Sequence, residues 1–315
     1  PAANLLRFFF FFPEKYFIDP NPPKSLEGYT LIRGTAVEKL PELVDRLGIT
    51  DVYYHQEVTA EELAITNPLE ASLKAINVNY KSFWGHTLYH LQDLPFSLPN
   101  LPELFTKFRK DVERDSQIKP VLPAPTTLPP LPADLVGSGA QNENLGKLPS
   151  LTDLGLAAPE FDSRGVLAYH GGETAGIARL DEYIWQRDRL RIYKETRNGM
   201  LGADYSSKFS AWLALGCLSP RYINQQVKKY ETERIENDST YWLTFELLWR
   251  DYFRFICAKH GVSIFKRSGL QGVDLNWKQD WTRFDLWREG KTGFPLVDAK
   301  MPELEATGYM PNPGR

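Results

Sequence analysis

Three serines and a lysine crowd into Ser206-Ser207-Lys208-Phe209-Ser210, and an apolar run carrying Trp212, Leu213 and Leu215 follows at once. The spacing predicts a helix behind a cluster of hydroxyls. Free N–H groups and the positive dipole end of a helix favour anions, so the cluster is a candidate phosphate seat. The same residues would also serve as an N-capping serine cluster on an ordinary helix, and their chemistry alone leaves both readings open. A second constellation lies in Ser239–His260, the strongest helical candidate, with Ser239 or Thr240 placed to cap it. Phe245, Leu248, Trp249, Tyr252 and Ile256 recur there at helical spacing, and Glu246, Trp249 and Arg250 stand at i, i+3 and i+4 on one face. Either they form a surface ion pair beside a core tryptophan, or the pair sits in an aromatic wall, where burial demands a partner.

The elements that must position these residues fall into two regions. Tyr29–Arg33, Asp51–His55 and Val78–Phe83 read as strands, alternating with helices over Val37–Leu47 and Ala60–Asn77, which predicts a parallel α/β sheet. No Gly-x-Gly-x-x-Gly or Walker loop occupies any of these turns. From Ile118 to Asp162 proline, serine, glycine and asparagine take over, as in a linker. Beyond Gly165 the pattern is helical nearly to the end. We therefore expect an α/β domain over 1–117, a linker over 118–164 and an all-helical domain over 165–315.

At 315 residues, 42% hydrophobic and 24% charged, the chain has the composition of a soluble globular protein. The net charge of −3 is unevenly spread. Residues 1–164 hold 15 basic and 21 acidic side chains, whereas 165–315 hold 22 basic and 19 acidic. Seven of the eight tryptophans also lie in the second region, which is the better candidate to meet nucleic acid. Two cysteines, Cys217 and Cys257, imply no disulfide framework, and the i,i+4 pair His86 and His90 reads as a loop or surface feature rather than a metal site. The run Leu5-Leu6-Arg7-Phe8-Phe9-Phe10-Phe11-Phe12-Pro13 is too short to span a bilayer. It reads as an aberrant start with no function.

Several blocks carry a family resemblance. They are Gly171-Gly172-Glu173-Thr174-Ala175, Tyr193-Lys194-Glu195-Thr196-Arg197-Asn198-Gly199 with Ala203-Asp204-Tyr205-Ser206-Ser207-Lys208-Phe209-Ser210, Leu215-Gly216-Cys217-Leu218-Ser219-Pro220-Arg221, Phe245-Glu246-Leu247-Leu248-Trp249-Arg250-Asp251-Tyr252, and Gly290-Lys291-Thr292-Gly293-Phe294-Pro295. In this order they resemble the photolyase/cryptochrome family, and its cryptochrome DASH branch in particular. The resemblance implies a Rossmann-like parallel α/β antenna domain joined by a long linker to a helical FAD-binding domain. By the same resemblance Tyr193, Ser206, Ser207, Lys208, Phe209 and Ser210 wrap the FAD phosphates and ribityl chain, and Arg250 lies next to the flavin. Glu246 and Trp249 match positions that hydrogen-bond and stack on a thymine dimer, a sequence-tolerant way to hold an extruded base. Trp277 matches the surface end of a tryptophan electron-transfer chain, and Asn312 and Arg315 match substrate-side positions. Glu57 falls where relatives contact a folate antenna, 5,10-methenyltetrahydrofolate; taken alone it reads rather as a helix-capping or solvated glutamate. Phe83-Trp84-Gly85-His86-Thr87-Leu88-Tyr89-His90 shares the DASH wording.

The implied activity is that of a blue-light-dependent flavoprotein, a deoxyribodipyrimidine photo-lyase repairing cyclobutane pyrimidine dimers in single-stranded or unpaired DNA. A non-repairing photoreceptor that binds nucleic acid is the alternative, and an inactive truncated product a third. The family's opening strand and its last segment find no match here, so both domains are expected to be incomplete. Asn312-Pro313-Gly314-Arg315 has proline where relatives usually have arginine. A soluble, intracellular monomer is expected, with no membrane or metal partner; organelle, nucleus and cytoplasm are not distinguished.

Overall fold

Leu40, Leu43, Val44 and Leu47 recur at helical spacing and line one side of α1 (Ala36–Leu47). This helix ends at Gly48, whose left-handed φ of 61° lets its N–H reach back to the Val44 carbonyl. β2 (Asp51–His55) follows, burying Val52 and Tyr54 in alternation. After α2 (Ala60–Ala75) comes β3 (Asn79–Phe83), and β1 (Leu5–Arg7) completes the sheet. The structure is a computed structural model that describes residues 5–7, 34–123, 150–158, 162 and 165–314. The three strands are parallel in the order β1-β2-β3, with Leu5 opposite Asp51 and Asp51 opposite Asn79. Leu40, Leu43, Val44, Val52, Leu69 and Leu73 close the core between sheet and helices.

These elements match the expected strand–helix alternation, with two differences. α2 stops at Ala75 rather than Asn77, because Asn77 turns left-handed at φ 57° and ends the helical ladder. The N-terminal run is not merely an aberrant start, since Leu5–Arg7 pairs with the edge of β2, whose backbone groups need partners there. The strand expected at Tyr29–Arg33 lies outside the described residues, as do 124–149 of the expected linker. Its described parts hold one short turn, Thr152–Leu154.

The chain divides into two compact units, Pro1–Ala157 with Leu248–Phe265, and Ala158–Leu247 with Lys266–Arg315. In the first, a second layer forms from α3 (Phe105–Asp115), where Phe105, Phe108 and Val112 are buried with Tyr252 and Phe255. Among its described residues the second unit holds helices and turns and no strand. It contains α4 (Glu173–Asp181), a π-helical turn at Glu182–Gln186, the short helices α5 (Tyr193–Thr196) and α6 (Ser210–Ala214), and α7 (Pro220–Glu233). α9 (Trp281–Arg288) and α10 (Pro295–Thr307) close it. Between α7 and α9 runs α8 (Asp238–His260), 23 residues long, which contributes to both units. Its start is capped by Asn237, whose Oδ1 accepts from the N–H groups of Ser239 and Thr240 at 2.9 and 3.0 Å. Neither Ser239 nor Thr240 is therefore the cap: Ser239 Oγ instead accepts from Lys194 N and donates to Glu195. No described helix is long and apolar enough to cross a membrane, and no group of three His, Cys, Asp or Glu among the described residues suits a metal ion.

Candidate functional site

The hydroxyl cluster does not sit on a long helix. α6 spans five residues and its N-cap is Phe209, with no side-chain cap, so neither the capping-serine reading nor a helix-dipole seat describes it. Gly216 turns left-handed at φ 72° and Cys217 N bonds the Trp212 carbonyl, which ends the helix early. The positive charge of the cluster is that of Lys208. Its backbone is itself left-handed, φ 57°, and its side chain is buried, 4% exposed. Nζ has no hydrogen-bond partner and rests 3.2 Å from the ring centroid of Tyr205 and 6.0 Å from that of Tyr309. Burial pushes this ammonium down to about 7, helped by Arg179 and opposed by Asp204 and Glu303.

Around it, Ser207 and Phe209 are buried, Ser206 is half-buried and Ser210 is exposed. Tyr183 stands edge-on to both Tyr193, at 6.4 Å, and Phe209, at 5.9 Å, so these expected residues form one aromatic floor. Arg179 pins the loop from below, donating to the carbonyls of Ala203 and Ser207 at 2.9 and 3.3 Å.

In the same unit Glu246 pairs with Arg197 at 2.6 Å. Burial raises the Glu246 carboxyl above its usual range, and the Arg197 charge opposes that. Arg197 also lies 5.4 Å from the Trp242 ring, while the Tyr193 hydroxyl feels the Glu246 charge. Glu246 is thus a half-buried carboxylate in an aromatic setting, as the second of the two readings for the pair requires, but its cation is Arg197 rather than Arg250.

Within the first unit, Trp249 stacks on Phe105 with centroids 3.5 Å apart and on Phe253 at 5.5 Å. Arg250 is half-buried and donates to the His86 carbonyl. Asp251 is fully buried and accepts from the N–H groups of Leu88 and Tyr89 at 3.1 and 3.0 Å. Burial outweighs those two donors and pushes its carboxyl up to about 7. Trp84 Nε1 donates to Thr87 Oγ1, which donates to the Tyr89 carbonyl, so the Trp84–His90 segment is a bonded turn fastened to α8. Glu57 Oε2 accepts from Arg254 Nη2 at 3.0 Å, and its Oε1 faces His86 Nε2 at 3.8 Å. Burial, with Arg254, His55 and Arg250 nearby, pushes His86 down to about 3, so it is neutral and this contact is no ion pair. His90 caps the turn Leu91–Asp93 through Nδ1, so His86 and His90 do not share a helical face.

Among the other expected residues, Trp277 is 55% exposed and donates to the Arg267 carbonyl. Asn312 is exposed in the turn Asn312–Gly314, and Arg315 lies outside the described residues. The Gly290–Pro295 block is a structural cap: Asp298 in the first turn of α10 accepts from Thr292 N, Thr292 Oγ1 and Gly293 N.

The chain is similar to known proteins. Residues 242–315 match the family model for the FAD binding domain of DNA photolyase, and residues 28–131 match that for DNA photolyase. Cryptochrome DASH of Gloeobacter violaceus is 61% identical over 90% of this chain and 55% of that protein. Cryptochrome DASH of Synechocystis is 51% identical over 90% of this chain and 56% of that protein. A crystal structure of Synechocystis cryptochrome agrees with a TM-score of 0.76 at 49% identity, covering 90% of this chain and 56% of that one. This chain belongs to the DNA photolyase/cryptochrome family, on its cryptochrome DASH branch. A class III photolyase of Agrobacterium tumefaciens has the same fold, with a TM-score of 0.69 at 22% identity over 90% of this chain and 56% of that one. The chain spans about half the length of the curated cryptochrome DASH relatives it matches.

Sequence reasoning missed Arg179, Arg197 and Asp251 as members of these clusters. Arg197 and Asp251 stand inside the cryptochrome DASH blocks and carried a signal there. Arg179 lies outside every block, and only its spatial contacts reveal it. A buried ammonium with no hydrogen-bond partner, in a serine-rich segment, fits a phosphate-bearing cofactor such as FAD.

Proposed function

We propose that this chain is the FAD-holding part of a blue-light-dependent flavoprotein that repairs cyclobutane pyrimidine dimers in single-stranded or unpaired DNA. The observation that carries the reading is Lys208, a buried cation without a hydrogen-bonded partner, flanked in sequence by serines whose hydroxyls can donate to a diphosphate. Ser206, Ser207, Lys208 and Ser210 hold the phosphates, while Tyr193 and Phe209 shape the wall beside the ribityl chain. When bound, reduced FAD supplies a photoexcited electron to the dimer and recovers it after ring opening. Glu246, whose carboxyl burial raises above its usual range, hydrogen-bonds a base, and Arg197 orients it. By the family resemblance Trp249 takes the position of a substrate contact and Arg250 that of a flavin contact, and Asn312 and Arg315 match substrate-side positions. Trp277, exposed at the surface, relays electrons to the flavin. Glu57 would hold the pterin of a folate antenna, with Oε1 facing neutral His86 and Oε2 held by Arg254.

One observation favours the non-repairing photoreceptor instead. The Trp249 indole already stacks on two rings, Phe105 and Phe253, which compete with a base for it. The test is reconstitution with FAD, removal of the excess and an absorption spectrum, followed by repair of a dimer-containing single-stranded oligonucleotide under blue light. Retained flavin with light-dependent repair, lowered at least tenfold by Glu246→Gln, supports the lyase. Retained flavin without repair supports the photoreceptor, and loss of all flavin rejects both.

A further inference from the structure

We propose that Arg179 is the positioning residue of the phosphate-binding loop, holding Ala203–Ser207 in the shape that the diphosphate of FAD requires. This rests on the flavin reading above and assigns a role to a residue outside the binding motif.

The guanidinium is 4% exposed and divides its donors between one short stretch of chain and Glu182 on the next turn. Nη2 bonds the Ala203 carbonyl at 2.9 Å and Nε the Ser207 carbonyl at 3.3 Å. Nη1 bonds Glu182 Oε2 at 2.9 Å and reaches Asp204 Oδ1 at 3.5 Å. One rigid plane thus fixes two carbonyls four residues apart, which the point-like ammonium of a lysine cannot do. The clamp is itself held on three sides. The Tyr183 ring lies 5.2 Å from the guanidinium carbon, and Glu182 and Asp204 are both shared with Arg187, each at 2.6 Å.

The second clamped carbonyl, that of Ser207, immediately precedes Lys208. A left-handed backbone in a lysine is strained and persists only where its surroundings over-determine it. Fixing the Ser207 carbonyl orients the peptide leading into Lys208, and so keeps the ammonium at the Tyr205 ring. Arg179 therefore acts through Ser207 and Lys208. It need not touch the ligand.

Arg179→Lys keeps the charge and removes the fork; Arg179→Met removes both. FAD affinity would be measured by fluorescence quenching, the diphosphate of bound FAD by its phosphorus NMR resonances at saturation, and folding by circular dichroism and urea midpoint. Both variants should lose at least fivefold in FAD affinity, with the phosphorus resonances moving towards those of free FAD. If Arg179→Met does not fold, Arg179→Lys and Glu182→Gln, each loosening the clamp by part, carry the same readouts. A loss below fivefold, or a larger loss with unmoved phosphorus resonances, overturns the positioning role while leaving the flavin reading intact. An unaltered chain that binds no FAD overturns both.

Discussion

Lys208 and Asp251 are charged groups placed where burial opposes their charge, and the two act in opposite senses on stability. Lys208 titrates near 7 in the folded chain, against about 10.4 for an unfolded lysine. Between those values the unfolded chain binds more protons, so the Lys208 contribution to stability rises with pH. The melting temperature of the cofactor-free chain should accordingly rise from pH 7 to 9.5 relative to Lys208→Met, and a difference that stays flat over that window would count against a buried, depressed ammonium. Asp251 titrates near 7 folded and about 3.9 unfolded, so here the folded chain binds more protons between the two values. Its contribution falls as pH rises from 4 to 7. Asp251→Asn should abolish that fall. It should also cost about 1–3 kcal/mol in urea titrations, because an amide NH₂ then faces one of the Leu88 and Tyr89 N–H donors.

At the scale of elements, Gly176 in α4 sets two local rules against each other. Alanine is the better helix former by about 1 kcal/mol. A Cβ at this position would, however, lie 2.9 Å from Leu218 Cγ and 3.0 Å from Trp212 Cδ1. Overpacking of that kind costs about 1–3 kcal/mol, so Gly176→Ala should lower the urea midpoint despite its helix propensity, and an unchanged or raised midpoint would show that Leu218 yields. The periodic elements were legible beforehand: Asp51–His55 is the strand its alternation predicts, and the helix expected from Ser239 begins one residue earlier, at Asp238. The cap was misassigned because Asn237, Ser239 and Thr240 are all competent cappers, and only tertiary contacts draw Ser239 away to Lys194 and Glu195. α6 stops at Ala214, just short of Leu215 in the apolar run, because Gly216 turns left-handed and breaks it. Arg179 and Asp251 escaped for a different reason. Their partners lie 28 and 163 residues away, at distances that no local pattern encodes.

For the molecule as a whole, Trp281, Phe284 and Trp287 of α9 are exposed, as are Trp277 and Phe294 in the same unit. Apolar surface of this extent invites association. The isolated chain should enhance the fluorescence of a hydrophobic dye and show concentration-dependent light scattering, and a monodisperse, dye-silent chain at high concentration would contradict that reading. The first unit contains a further consequence. Leu88 and Tyr89 wait for Asp251, and Phe105 and Phe108 wait for Tyr252 and Phe255, across up to 163 residues of chain. A ribosome adding about 5–20 residues per second needs roughly 10–30 s to deliver those partners. During that interval the nascent chain can close its small sheet, yet the aromatic side of α3 stays bare. Synthesis speed and the chaperones at the tunnel exit thereby gain a hold on the yield of this protein, and slow codons between 116 and 247 should lower it.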